Sequence, residues 1–385
     1  MKPLRILGVA AALGTIIMVL VSMPTGARTK WSVVMSGLDN PRGLTFVWGG
    51  HHEGRRYDRE DDDGKGWALY VAEAGKGGPG PCATVRGQLQ CAGTTGAVSR
   101  YRHGHQERVV TGLPSYAPSS GAGATGPHDV SFADERGYVT VGLGGPLSPV
   151  VMRGLFGEDF GRIVRFRRGG SFSFDADVAS YEQDANPDGG PQDSNPYGLL
   201  KDAGRRIVVD AGGNSLLRVS SGGNISTIAV FPSRAQGRTT DAVPNAVARG
   251  RDGAYYVGEL TGVPFVPGTA NLWRVVPGQD PTTYCSGFSF IIDLDFDRRG
   301  KLYVLEFSSA PFPMGAGTLY RVGRDCSKTP VFTGLTNPTS VAIGPDGDAY
   351  ISNFGTSAAI GEVIRVRLDH RHHGDDDDDD DDDDD

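Results

Sequence analysis

Three short phrases recur six times along the chain in the same order, usually followed by a fourth. The first is NPRGLTF from Asn40, GPHDVSF from Gly126, NPYGLL from Asn195, VPNAVA from Val243, FIIDLDF from Phe290 and NPTSVAI from Asn337. Their shared proline column falls at 41, 127, 196, 244, 291 (an isoleucine) and 338, so the spacings are 86, 69, 48, 47 and 47. The later units are regular, and the first two carry insertions.

The second phrase ends at Glu73, Val141, Asp210, Glu259, Glu306 and Asn353, and the third at a basic column of Arg100, Arg165, Arg218, Arg274, Arg321 and Arg365. The fourth reads VVTGL, TIAVF, TYCSGF and VFTGL in four units and is irregular in the second unit, as SFSFDADVASY. Such β-branched and aromatic runs between Gly, Asp and Asn are strands and turns. With 57 glycines and 24 prolines, about a fifth of the chain, turns are dense and long helices are disfavoured. Four strands per unit at this period predict an all-β, six-bladed β-propeller. The sixth unit lacks its fourth strand after Val366, and WSVVMSGL, Trp31 to Leu38, matches the missing phrase. The N-terminal strand is therefore expected to close the last blade.

Residues 1–27 read as a secretory signal peptide: Lys2 and Arg5, an apolar run from Ile6 to Val21, then Pro24 to Ala27. An uncleaved anchor is the alternative, and no later stretch is apolar enough to cross a membrane. Either way residues 28–368, a single propeller domain, are expected outside the cytoplasm, secreted or periplasmic. Four cysteines fit that oxidising setting. Cys82 and Cys91 flank a Gly/Pro-rich loop that a local bridge would staple, and Cys285 and Cys326 pair if neighbouring outer edges meet. Residues 369–385 form a His/Arg segment and eleven consecutive aspartates that cannot pack. The net charge of −8 comes from that tail, and a near-neutral body disfavours nucleic-acid binding. A monomer is expected.

In a four-stranded antiparallel blade the start of the first strand lies beside the end of the second, so one face of the channel collects chemistry. His128, Asp129, Tyr197, Asn245, Glu259 and Asp293 are the candidate ligand-binding residues there. His128 is the histidine inside a repeat phrase, and it stands where sister units have Arg42 or Tyr197. It is a candidate acid–base residue together with Glu259, weighed against a satisfied channel histidine. Asp129, Glu259 and Asp293 are candidate metal ligands, and an oxygen-rich set suits calcium or magnesium better than zinc. The arginine column, present in all units, reads as architecture. A carboxylate closing the second strand, such as Glu73, Asp210 or Glu306, reads as a loop tether.

DANPDGG from Asp184 resembles half of a calcium loop, but Pro187 and Asn195 break the pattern and favour a structural turn. The insertion between Trp48 and Trp67 reads as a solvated loop. No nucleophile elbow, phosphate loop or dinucleotide fingerprint appears in a supporting context.

The phrases SGLDNPRGL, YVAEAGKGGPGPC, TGPHDVSF, YVTVGLGG, DSNPYGLL, VVDAGGNSLLRV and YYVGELTG together resemble the ScyD/ScyE family, from about Trp31 to Val366. The resemblance implies an exported six-bladed propeller related to NHL repeats. The chain departs from it in the Trp48–Trp67 insertion, the Cys285/Cys326 pair and the acidic tail. Two functions follow as expectations. One is a binding propeller holding a small molecule, glycan or extracellular protein at the top of its channel. The other is a metal-dependent hydrolase or lyase similar to gluconolactonase or streptogramin lyase.

Overall fold

A computed structural model describes residues 30–48, 66–133, 136–167, 169–235 and 239–368. Residues 1–27, read as a signal peptide, most of the Trp48–Trp67 insertion and the tail from 369 onward lie outside these residues. Six four-stranded antiparallel blades form a ring. Their innermost strands are Pro41–Trp48, Pro127–Ala133, Pro196–Asp202, Pro244–Arg249, Ile291–Phe296 and Ser340–Ile343. Each begins at or just after the proline column, because proline fixes φ and needs no ladder donor at a strand entrance.

The last blade is completed by Trp31–Leu38, which pairs antiparallel with Gly361–Val366 from Trp31↔Val366 to Leu38↔Gly361. The two ends of the propeller therefore share one sheet, which removes an open edge. Irregularities in the pairing at Val33/Met35 and Ser36/Leu38 turn Met35 and Leu38, three residues apart, to the same side. There they pack with Leu44, Leu69, Val71, Tyr350 and Val363 across the junction of blades 6 and 1. Equivalent apolar layers fill the other junctions.

Both expected disulfides are present. Cys82 and Cys91 face each other across the hairpin of Cys82–Val85 and Gln88–Arg102, an extension rising above blade 1. Cys285, in the outer strand of blade 4, joins Cys326 in a turn of blade 5 and staples the two blades. Blade 2 departs from the repeat in two places. Its long loop contains a helix, α1 (Pro149–Phe156), and its fourth strand, Phe172–Asp177, runs directly into a second, α2 (Val178–Ala185). The strand stops at Asp177 because that side chain caps α2 through Ser180 N (3.0 Å) and pairs with Arg153 of α1. Four members of the arginine column pair with a carboxylate of their own blade, Arg100 with Glu107 and Arg165 with Asp175 among them. Arg274 pairs with Asp252 and Arg365 with Asp346, each an aspartate in the turn between its blade's first two strands.

Met35→Ala is expected to cost about 2–5 kcal/mol, the range for emptying a packed core site. Denaturant melting of the purified protein measures it. A cost near that of an exposed substitution would mean that the closing strand does not hold the ring.

Candidate functional site

The register places the start of each first strand beside the end of the second: Pro41↔Glu73, Pro127↔Val141, Pro196↔Asp210, Pro244↔Glu259 and Ile291↔Glu306. The loops joining second and third strands open on this same end, the top. Around the mouth, the residues following the proline column form one layer: Arg42, His128, Tyr197, Asn245, Ile292 and Thr339.

His128 is 4% exposed. Its ring packs on Tyr197 at 4.5 Å and lies against Gly142, where a β-carbon would come within 2.1 Å of Cε1. Nδ1 stands 3.1 Å from the Pro196 carbonyl, which only accepts, so Nδ1 carries the proton and Nε2 keeps its lone pair. Burial, reinforced by the charge of Arg42, drives the imidazole down to about 3. At neutral pH it is therefore a neutral acceptor. Burial likewise pushes the Tyr197 phenol up, keeping it a donor.

Asp129 and Asp293 occupy equivalent positions in blades 2 and 5 and make equivalent bonds. Asp129 Oδ2 accepts Leu199 N of blade 3 (2.7 Å), and Asp293 Oδ2 accepts Val341 N of blade 6 (2.9 Å). Ser340, in the same column, accepts Leu44 N of blade 1 at 3.1 Å and donates to Asp293 at 2.6 Å. This column clamps one inner strand to the next. Beside it, Thr140 donates to Tyr197 O and Ser352 to Arg42 O, again across a blade junction. Burial raises the Asp293 carboxyl to about 6 against these bonds, and burial with the charge of Asp293 holds Asp129 well above its usual range.

Glu259 lies elsewhere. One oxygen accepts Trp273 Nε1 at 2.9 Å and the other Asn271 N, which ties it to the third strand of its own blade. The other closing carboxylates tether the chain entering their blade: Glu73 accepts Asp39 N, Asp210 accepts Asn195 N, and Glu306 accepts Ser289 N. Asn245 is buried in the inner strand of blade 4. Among the described residues, no three His, Cys, Asp or Glu side chains stand together at metal-ligand spacing. The structure thus brings His128, Tyr197, Asp129 and Asp293 to one channel and sets Glu259 apart from them.

Two features lay beyond the reach of the repeat pattern. A cleft of about 260 Å³ opens between α1 and α2, lined by Val150, Arg153, Glu158 and Gln183 among others. The top loops also carry exposed apolar side chains, including Val150 (64%), Val263 (72%), Met314 (72%) and Ile360 (61%). Clusters of apolar residues within these glycine- and proline-rich loops were the available signal.

No protein-family model and no curated protein matches the chain. Solved structures do. A putative gluconolactonase aligns over 90% of this chain and 96% of its own with a TM-score of 0.50 at 10% identity. A protein of unknown function from Bacteroides thetaiotaomicron aligns over 88% of this chain and 76% of its own, also with a TM-score of 0.50 at 10% identity. Virginiamycin B lyase from Staphylococcus aureus covers 88% of this chain and 90% of its own with a TM-score of 0.47 at 14% identity. Likeness at these identities shows the shared fold alone.

The His128 titration has a defined sign. The unfolded chain takes up the imidazole proton near pH 6.5, whereas the folded chain resists it until about 3. The stability His128 confers is therefore complete above pH 6.5 and is lost as pH falls toward 3. Asp293, raised to about 6, acts in the opposite sense as its carboxylate protonates. His128→Gln is thus expected to lose less stability than wild type between pH 6.5 and 4 in denaturant melts. Parallel curves for the two proteins would show that His128 is not buried neutral.

Proposed function

We propose that this chain is an exported binding propeller of the ScyD/ScyE type that holds a neutral polar ligand over its channel mouth. The ligand is a glycan, a small polar molecule or a segment of an extracellular protein. The observation that carries this reading is the distribution of exposed apolar side chains. Of the eleven large ones exposed among the described residues, Leu147, Val150, Val151, Val263, Met314 and Ile360 sit in loops joining second and third strands, and Leu89 sits on the disulfide-stapled hairpin. The remaining four lie on the outer strands Trp31–Leu38 and Phe172–Asp177. Apolar surface gathered at one end is the usual mark of a contact face.

Beneath that rim the mouth offers the neutral acceptor of His128, the Tyr197 phenol and Asn245, groups suited to hydroxyls and amides. Export is supported by the pairing of all four cysteines, and no described helix is long and apolar enough to cross a membrane. The hydrolase or lyase reading draws less support. Its acid–base candidates are an imidazole held neutral and a glutamate held by Trp273, and its aspartates already serve as inter-blade clamps.

The rim is tested with the apolar dye 8-anilinonaphthalene-1-sulfonate and the double variant Val263→Asp, Met314→Asp. Both positions are open to solvent, so melting is expected to be unchanged while dye fluorescence falls several-fold. Undiminished fluorescence would remove the top face as the contact surface. Lactone hydrolysis by wild type that His128→Ala abolishes would favour the enzyme instead.

A further inference from the structure

The α2 helix and the turn after the second strand of blade 3 enclose a group of oxygens that the channel does not use. The turn is Asp210-Ala211-Gly212-Gly213-Asn214, and side chains from the segment around and after α2 clasp it. Asp188 Oδ2 accepts Asn214 Nδ2 at 2.9 Å. A β-carbon on Gly213 would lie 2.5 Å from Glu182 Oε2 and 3.4 Å from Asp210 Oδ2, and one on Gly212 would lie 2.9 Å from Asp193 Oδ1. The paired glycines are therefore the space into which three carboxylates lean.

A cluster of acids has no site value by itself, but here the unmet hydrogen bonds are concentrated. Glu182 is 1% exposed, and its Oε1 has no partner. Among the described residues, the buried amide or carboxylate oxygens lacking a partner are Glu182 Oε1, Gln183 Oε1 and Asn186 Oδ1. All three belong to the end of α2. Asn186 caps the helix in the left-handed conformation, and its Nδ2 donates to Gly190 O (3.0 Å), which fixes which end of the amide is oxygen. An acceptor oxygen buried without a donor is costly, and at Glu182, whose other oxygen lies against Gly213 beside Asp210, a cation would satisfy it.

We infer that this pocket is a divalent-cation site, of the calcium class, built from Glu182 and Asp210 with Asp193 and Asp188 at its rim. Hard carboxylate and amide oxygens in an adaptable loop suit Ca²⁺, which accepts six to eight of them in irregular geometry. Because no three such side chains yet stand at ligand spacing, the cation must draw Asp193 or Asp188 inward. Asp188 is the one member shared with the DANPDGG pattern, while Asp184 is exposed and lines the α1–α2 cleft. A cation here would tie blade 2's helix to blade 3. The inference is independent of what the channel mouth binds.

The test uses the full chain, stripped with chelator and titrated calorimetrically with CaCl₂ alone and with MgCl₂ alone, in wild type and Glu182→Gln. The aspartate tail contributes the same background to both, so the readout is their difference. Wild type is expected to show one additional stoichiometric Ca²⁺ site and a Ca²⁺-dependent rise in Tm. Glu182→Gln should weaken that site at least tenfold and lose the rise, while melting without calcium at or above the wild-type temperature. If Glu182→Gln does not fold, Asp193→Asn reports the same difference from a less buried position. Equal Ca²⁺ titrations for wild type and variant, or no Tm response to millimolar Ca²⁺ in wild type, would overturn the assignment and leave a carboxyl pair that shares a proton.

Discussion

Pairing between Trp31–Leu38 and Gly361–Val366 is the contact on which the rest of this structure depends. A propeller blade has two edges, and a ring of blades is stable only if the first and last are held together. Here a strand from one end of the domain completes the sheet of the other. Its buried side chains, Met35 and Leu38, then seal the junction between blades 6 and 1. Closure fixes the diameter of the channel, and the diameter decides which side chains meet across it.

Within that closed ring the inner strands are locked by a repeated device. Asp129, Asp293 and Ser340, from the same column of the repeat, each accept a backbone N–H two residues beyond the mouth layer of the next blade. Thr140 and Ser352, from another column, donate to the carbonyl of that layer. Blades lacking these groups have Gly or Ala there, and at Gly43 a β-carbon would strike the Asp129 carboxylate. The polar character of the channel is thus partly a by-product of assembly. The adjoining layer carries neutral His128, Tyr197 and Asn245.

The insertions in the first two units alter the top more than any other part. Blade 1 raises a disulfide-stapled hairpin whose strand Cys82–Val85 packs against α1, with Val85 in the same core as Met152 and Phe156. Blade 2 spends its extra residues on α1 and α2, joined through Arg153 and Asp177. The additions make the top of the ring asymmetric, with its extra elements on blades 1 and 2.

The sequence by itself determined the architecture. Periodic phrases at fixed spacing mark strands because alternation and turn chemistry are local, and a missing fourth phrase matched at the other terminus can only mean closure. Every second-strand end read from the repeats, from Glu73 to Asn353, coincides with the end of a strand. Both cysteine pairs were legible too: Cys82–Cys91 because the two flank a short Gly/Pro-rich loop, and Cys285–Cys326 because strand order places the outer edges of blades 4 and 5 side by side. The roles of individual polar residues were decided by the tertiary structure. Whether Asp293 faces a ligand or a neighbour's N–H depends on blade-to-blade distance, and whether Glu259 enters the channel depends on Trp273 lying within reach. The Glu182–Asp210 pocket joins residues from an irregular helix and a glycine turn, neither of which belongs to the repeat. Spacing along the chain encodes hydrogen-bond ladders, but proximity across blades arises only when the ring closes.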